Sequence, residues 1–177
     1  MTRPTLTALR ATLVPAEPED LDALWAIWRD SDVRRYLFDD EEVTRERAHE
    51  VLEGCLAVAV HGLGLWTIRT APDAIVGCAG LMPAETIAEY DPTLRGLVEP
   101  IVALAPSHWH RGHATGALSA LVAYAFGPLD LARLAGVTDV PNVASDRMLV
   151  RAGFVPQREC DGPRYRIRTY VLERGTP

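Results

Sequence analysis

The stretch Trp109-His110-Arg111-Gly112-His113-Ala114-Thr115-Gly116 lies between two segments of contrasting pattern. An apolar run over residues 101–106 precedes it, and a helical run from Ala117 to Phe126 follows it. We therefore predict a tight turn between a strand and a helix. Such a turn exposes unpaired backbone N–H groups at the positive end of the helix dipole, where phosphate binds well. We interpret the stretch as a pyrophosphate-binding loop.

The composition is that of one globular domain, which we expect over residues 1–177. Apolar residues make up 48% of the chain and charged residues 24%. We expect a cytoplasmic protein without a membrane partner, because no apolar run is long enough to span a bilayer and no signal-peptide core follows the N-terminus. The net charge of −6 argues against nucleic acid as the main ligand.

All 18 basic residues are Arg, so no Lys is available for a Schiff base or a Walker-type phosphate contact. The cysteines stand far apart without a CxxC pair, which indicates reduced structural thiols rather than disulfides or a zinc site. Histidines cluster at the loop without a carboxylate or cysteine at ligand spacing, so we predict no metal and expect them to flank phosphate. The cysteines are Cys55, Cys78 and Cys160, and the histidines of the loop are His108, His110 and His113.

Hydrophobic periodicity predicts an α/β (α+β) chain with a mixed, mostly antiparallel central sheet and helices on both faces. Helices are predicted around residues 18–28, 31–36 and 44–56, after the loop, and from Asn142 to Ala152. Residues 1–8 are expected to be a loose end, and the segment from Met82 to Gly96 a loop or insertion. The predicted strands cover residues 9–14, 65–70, 74–81, 97–104, 134–138, a strand from 154 onward, and 165–172.

Asn142 is the sole asparagine and begins a helix that ends before Gly153. Asn suits a helix N-cap, and a cap needs no further role for its side chain. Alternatively, the amide points into a cleft, with Ser145 one turn later on the same helix face. The spacing alone leaves both interpretations open.

Several segments, taken together, resemble the GNAT acyltransferases. Residues 104–115 resemble the acetyl-CoA-binding motif of that family, which in one branch runs Trp-Gly-x-Gly-Tyr-Ala-Thr-Glu-Ala. Asn142-x-x-Ser145, ending in Gly153-Phe154, resembles the second motif near CoA, and residues 98–102 resemble the strand before the loop. Residues 28–37 resemble the N-terminal helices of the Rim-type ribosomal-protein acetyltransferases. The similarity spans nearly the whole chain and implies a GNAT-like fold.

The resemblance implies acetyl-CoA as co-substrate, an amine acceptor and, since dimers are common in similar families, a homodimer. Pantetheine would lie along a splayed strand, where the backbone N–H of Val102 or Ala103 would polarise the thioester carbonyl. Arg111 is the expected phosphate partner because its charge is permanent. The expected acetyl-CoA-binding residues are Ile101, Val102, Ala103, Leu104, Trp109, His110, Arg111, Gly112, His113, Ala114, Thr115, Asn142 and Ser145.

The chain departs from the family pattern at several positions. His110 replaces a glycine, His113 an aromatic residue and Gly116 a glutamate. Backbone N–H groups survive such changes, so the loop can still bind phosphate. Leu149 stands where the family often has a catalytic tyrosine, so a tyrosine general acid is not expected here.

Catalysis is expected to proceed by direct attack of an amine on the thioester. In the Rim-type branch a serine at the position of Ser145 assists the leaving thiolate. Glu99 is the candidate general base, or else a solvated or ion-paired strand residue. About a tenth of an α-amine is neutral near pH 7, so a weak base favours an α-amine or small metabolite over a lysine. Candidate acceptor-pocket residues, which alternatively pack in the core, are Trp28, Tyr36 and Phe38.

The predicted function is an acetyl-CoA-dependent N-acetyltransferase that acts on a protein N-terminus or a small-molecule amine. One alternative is a non-catalytic acyl-CoA-binding module, suggested by the missing tyrosine and glutamate. Another is an acyltransferase that uses a different donor, such as succinyl-CoA. The acidic run Asp39–Glu42 is either a solvated loop or a feature that attracts a cationic acceptor.

Overall fold

One eight-stranded sheet runs through the computed structural model, which describes residues 3–175. The strands are β1 Leu6–Ala8, β2 Ala11–Pro15, β3 Gly64–Ala71, β4 Ala74–Pro83, β5 Val98–Leu104, β6 Arg133–Asp139, β7 Val155–Asp161 and β8 Arg166–Glu173. Across the sheet they follow the order β1-β2-β3-β4-β5-β6-β8-β7. Neighbouring strands are antiparallel except β5 and β6, which are parallel. The predicted mixed, mostly antiparallel sheet is confirmed.

Helices cover both faces of the sheet. They are α1 Leu21–Trp28, α2 Ser31–Leu37, α3 Arg45–Ala57, α4 Glu85–Ala88, α5 His113–Phe126 and α6 Val143–Arg151. On one face α5 buries Leu118 and Leu121, and on the other α1 and α3 bury Trp28 and Leu52. Each such side chain stabilises the fold by about 2 kcal/mol. Of the helices formed by residues 3–175, none combines the length and apolar character that crossing a bilayer requires.

The N-terminal segment forms a hairpin, so the predicted loose end is wrong for the residues described. β1 pairs with β2, and the strand expected from Leu9 begins at Ala11 after a turn in which Arg10 has a left-handed φ of 64°. The Trp66 indole donates a hydrogen bond to the Pro4 carbonyl at 2.8 Å. Such contacts come from distant residues, so short-range alternation could not reveal them. Residues 1 and 2 of the predicted end lie outside the described chain.

The segment from Met82 to Gly96, predicted as a loop, is mostly regular structure. β4 continues into it, and α4 and a 3₁₀ turn follow. Ile87 and Leu94 are buried in a small separate core. The fully buried Asp91 accepts a hydrogen bond of 2.9 Å from the Thr169 hydroxyl of β8. These elements are too short to show periodicity, so only their contacts identify them.

Helix α5 begins at His113, four residues before the predicted start at Ala117. The residues expected to complete the turn therefore form the first turn of the helix. A small residue is required at Gly116, because a Cβ there would lie 2.9 Å from the Leu9 carbonyl oxygen. The β1–β2 hairpin thus packs directly against the start of α5, and this contact explains why the glutamate of the family pattern is absent.

Candidate active site

The parallel strands β5 and β6 separate after one paired position, Val98 with Leu134, in the register of the described chain. The Ala105 N–H donates to the Val76 carbonyl of β4 at 2.9 Å. Since N–H directions alternate along a strand, the even-numbered positions of β5 face β6. Pro100 is the next such position after Val98 and has no N–H to offer. The sequence therefore opens a gap between the two strands at this point.

Val102 is the next residue whose backbone N–H faces this gap. The same alternation directs the Ala103 N–H towards Cys78 of β4, its antiparallel partner. Of the two donors suggested from the sequence, only Val102 therefore has an N–H available in the gap. The N–H of Leu104, two residues on, faces the gap by the same alternation.

The loop before α5 is fastened to the end of β5. The Trp109 indole donates to the Leu104 carbonyl at 2.8 Å. His110 and Gly112 have left-handed φ values of 58° and 83°, and Gly112 is the N-cap of α5. A left-handed residue followed by a helix start turns successive N–H groups towards one concave side, which suits an anion. Arg111 is exposed beside them.

Two histidines lie beneath this loop with their rings 6.1 Å apart. His113 is only 7% exposed, and the Nδ1 atoms of His108 and His113 are buried without a hydrogen-bond partner among residues 3–175. Burial, with the charges of Arg111 and His113, lowers the pKa of His108. In the protein without ligand, this shift disfavours the protonated form of His108. The described residues include no group of three side chains suited to a metal ion.

Asn142 is the N-cap of α6, and its Oδ1 accepts a hydrogen bond from the Ser145 N–H at 3.2 Å. The cap interpretation therefore accounts for this oxygen. The Ser145 hydroxyl has no hydrogen-bond partner within the described chain and is half-buried. Leu149, at the position of the family tyrosine, is 4% exposed and packs in the core below α5. Ser145 is thus the hydroxyl that α6 offers near the gap.

A network of charged groups holds α6 against the sheet. Asp146 accepts hydrogen bonds from the Tyr170 hydroxyl and, at 2.6 Å, from Arg168 of β8. Arg168 also pairs with Glu159 of β7 at 2.6 Å. Because Asp146 follows Ser145 directly, this network fixes the direction in which the serine faces.

Glu99 lies on the face of β5 that is covered by α1, α2 and α3, together with Ile101 and Ala103. Its side chain is half-buried and forms no ion pair with any residue of the described chain. Burial raises the pKa of its carboxyl from 4.5 to about 8. A carboxyl with this pKa exchanges protons near neutral pH, as a general base for an amine requires. Because Glu99 has no ion-pair partner among the described residues, the ion-paired alternative is wrong.

A cavity of about 180 Å³ adjoins this face of β5. The aromatic rings of Trp28 and Phe38, 5.9 Å apart, form one wall, so these two candidate pocket residues lie together. Trp28 is also core, since it is 2% exposed and donates to Cys78 Sγ at 3.4 Å. The remaining lining residues are Leu37, Val51, Cys55, Leu65, Cys78 and residues 101–103.

Tyr36 lies apart from this cavity, at a contact that spans the gap. Its hydroxyl donates to the Pro141 carbonyl at 3.5 Å, and its ring is 6.0 Å from that of Tyr165. Asp40 of the acidic run pairs with Arg34 at 3.1 Å and with Arg164 at 2.8 Å. The acidic run is therefore partly an ion-paired bridge between α2 and the β7–β8 turn.

Asp139 ends β6 on the far side of the gap and is 9% exposed. Burial and the charge of Asp39 raise the pKa of its carboxyl to about 6, while Arg164 opposes the shift. Sequence reasoning missed Asp139, although an acid at the end of a strand just before the Asn142 motif is a usable signal. It also missed Pro100, which inside a strand signals an unpaired edge.

Residues 10–155 match the family model of the acetyltransferase (GNAT) domain. This chain therefore belongs to the GNAT acetyltransferase family, an enzyme family of acyltransferases that use acetyl-CoA. The resemblance inferred from the two motifs and the predicted enzyme class are both confirmed.

The chain is also similar to individual proteins. It is 28% identical over 176 residues, which are 98% of this chain and 92% of the other, to the Bacillus subtilis protein called uncharacterized N-acetyltransferase YoaA. The structure of a GNAT-family acetyltransferase from Bacillus anthracis matches with a TM-score of 0.78 at 18% identity, over 96% of this chain and 98% of that one. RimL, a ribosomal L7/L12 alpha-N-protein acetyltransferase solved with coenzyme A, matches with a TM-score of 0.76 at 15% identity. The match covers 96% of this chain and 98% of that one. At such identities the structures show a shared fold.

Proposed function

We propose that this chain is an acetyl-CoA-dependent N-acetyltransferase for a primary amine, either a small-molecule amine or a protein N-terminus. One observation carries the proposal: the free N–H of Val102 and the N-terminus of α5 lie at the same end of the β5–β6 gap, joined by the Trp109–Leu104 hydrogen bond. A thioester donor with a pyrophosphate needs both groups together, one for its carbonyl and one for its phosphates.

The polar groups of the loop support a diphosphate ligand there. The left-handed His110 and Gly112 direct N–H groups into the loop. The Nδ1 atoms of His108 and His113 are buried and unpaired within residues 3–175. Buried polar atoms are rarely left without a partner, so these atoms favour a bound polar ligand. Arg111 would add a permanent charge at the rim.

The proposed reaction needs a proton acceptor near the amine, and Glu99 fits that role. The amine nitrogen forms a bond to the acetyl carbonyl carbon, and the bond from that carbon to sulfur breaks. The proton lost by nitrogen passes to the Glu99 carboxylate and then to solvent, while coenzyme A leaves as a thiolate that solvent protonates. Because the pKa of Glu99 is about 8, the carboxylate is basic enough to take this proton near neutral pH.

Two further groups would stabilise charge during this step. The Val102 N–H would donate to the carbonyl oxygen as negative charge develops on it. The Ser145 hydroxyl, free of any partner in the described chain, would donate to the departing sulfur. A thiol of pKa about 8.5 is already a fair leaving group, so one hydroxyl is sufficient help.

The charges beyond the gap favour a cationic acceptor. Asp39 is close enough to Asp139 for its charge to raise the pKa of the Asp139 carboxyl, and Asp139 has no ion pair in the described residues. An amine that carries positive charge would be attracted to this side of the gap. An α-amine, with a pKa near 8, would still supply about a tenth of its molecules in the neutral, reactive form near pH 7.

The test is release of free thiol from acetyl-CoA with a panel of amines, with products identified by a mass gain of one acetyl group. We expect turnover with at least one α-amine or small cationic amine, and none with the same compounds blocked at nitrogen. Tight CoA binding without turnover on any amine would instead identify an acyl-CoA-binding module. Turnover with succinyl-CoA but not acetyl-CoA would overturn the choice of donor.

A further inference from the structure

The cavity beside β5 is much larger than an acetyl group needs. Its volume is about 180 Å³, whereas an apolar cavity of about 150 Å³ engineered in another protein holds a benzene molecule. The floor is closed by buried residues, among them Trp28, Leu65 and Cys78, each no more than 2% exposed. The mouth is formed by half-buried residues, among them Val51 of α3 and Val102 of β5. The cavity therefore has space for a chain of about six carbon atoms.

We propose that this cavity is an acyl-chain pocket, which lets the enzyme take neutral, unbranched acyl-CoA donors of up to about six carbons in addition to acetyl-CoA. The inference rests on the proposed function in one respect, the placement of the thioester carbonyl at Val102. Val102 borders the cavity between Ile101 and Ala103 while its N–H faces the gap, so a thioester carbonyl held by that N–H lies beside the cavity mouth.

The two sides of the gap have different chemistry, which assigns the cavity to the acyl chain rather than to the amine. The cavity extends from β5 beneath α1 and α3, towards Leu65 of β3 and Cys78 of β4. The acidic groups suited to a cationic amine, Asp139 and Asp39, lie at the end of β6 and just after α2, and neither of them lines the cavity. An amine held there would reach the carbonyl without entering the cavity.

The lining of the cavity is uncharged, so it favours a neutral chain. Burial raises the pKa of Cys55 to about 11 and that of Cys78 to about 12, and both thiols are therefore protonated near neutral pH. The Trp28 N–H is already donated to Cys78 Sγ at 3.4 Å. A terminal carboxylate would find no partner among the lining residues and would lose its hydration. The pocket therefore disfavours succinyl-CoA.

The test measures dissociation constants by calorimetry for CoA and for its acetyl, butyryl, hexanoyl, decanoyl and succinyl thioesters. We expect affinity to rise about fourfold per methylene as far as hexanoyl, because burial of one methylene contributes about 0.8 kcal/mol. Affinity should then fall for decanoyl-CoA, which exceeds the closed floor. Succinyl-CoA should bind no more tightly than CoA. The same donors are then compared by kcat/KM with an accepted amine.

Variants that fill the cavity test its position. Cys78→Leu fills the floor and Val51→Phe the mouth, and each should lower the ratio of hexanoyl-CoA to acetyl-CoA affinity at least tenfold. Cys160→Leu is the matched control, because it makes the same change on β7, outside the cavity. Thermal melts show whether each variant is folded, and Val51→Phe answers the question if Cys78→Leu is not.

The outcomes separate the two proposals. Equal affinities along the chain-length series would overturn the acyl pocket and leave the proposed function standing. A different result would also overturn the acyl pocket: both filled variants raise the KM of the amine and leave the chain-length series unchanged. The cavity would then hold the side chain of the acceptor. Affinities that rise with chain length, without turnover on any amine, would support the pocket and overturn the proposed function.

Discussion

The Glu99 carboxyl should govern how activity depends on pH. Burial raises its pKa from 4.5 to about 8. About a tenth of these carboxyls are then ionised near pH 7, about half near pH 8 and about nine tenths near pH 9. Since only the ionised form can accept a proton, the contribution of Glu99 to kcat/KM should rise about tenfold per pH unit up to about pH 8 and then level off.

Glu99→Gln keeps the shape of the side chain and removes its titration. The ratio of wild-type to variant kcat/KM, measured with one amine, cancels the titration of the amine itself. We expect a ratio of about 100 or more near pH 8, decreasing about tenfold per unit at lower pH. The exposed Glu89, changed to Gln in the same way, should give a ratio near unity throughout. A Glu99→Gln ratio that is constant with pH would refute the role of Glu99 as base.

The same pKa shift predicts a change in stability of defined sign. Near pH 4 the carboxyl is protonated in both the folded and the unfolded chain, so it has little effect. Between 4.5 and about 8 the unfolded chain releases a proton that the folded chain retains, so stability falls as pH rises. The total loss is at most about 5 kcal/mol, and partial exposure reduces it. Glu99→Gln should therefore unfold at a higher temperature than wild type near pH 9 and at nearly the same temperature near pH 5; parallel curves would contradict the burial argument.

Gly112→Glu places a bulky anion at a left-handed position of the loop and should weaken CoA binding at least about 100-fold by calorimetry. Gly96→Glu, at a φ of 75° outside the site, is the control for backbone strain, and an equal loss of binding in both variants would refute the loop assignment. Ser145→Ala should lower kcat about tenfold with little change in the KM for acetyl-CoA, because the cap uses the backbone N–H rather than the hydroxyl; an unchanged kcat would remove Ser145 from catalysis. Asp91→Ala removes a fully buried carboxylate paired with Arg158 at 3.5 Å and should destabilise the fold by about 3 kcal/mol in denaturant unfolding, whereas a loss under about 0.5 kcal/mol would show that the pair contributes little.

Much of the fold was predictable from local patterns. The apolar run in β4, the alternation in β8 and the spacing of apolar residues in α1 and α3 depend on neighbours within one element, so a sequence window shows them. The N-cap at Asn142 and the left-handed Gly112 are equally local. The hairpin of β1 and β2 and the short α4 were not predictable, because each is stabilised by contacts with residues far away in the chain.

By itself, the sequence determined the class of protein: a loop with a glycine before a helix, an Asn-x-x-Ser helix start and a strand before both. These features act through backbone N–H groups and short spacings, which the order of residues specifies directly. Only the tertiary structure decided which N–H is free, because that depends on the register of β5 against β4. Only it showed that the pKa of the Glu99 carboxyl is raised to about 8, because burial arises from helices packed over the strand. The loop at Trp109–Gly116 indicated the family and its acetyl-CoA donor, and the packing around β5 formed the candidate active site.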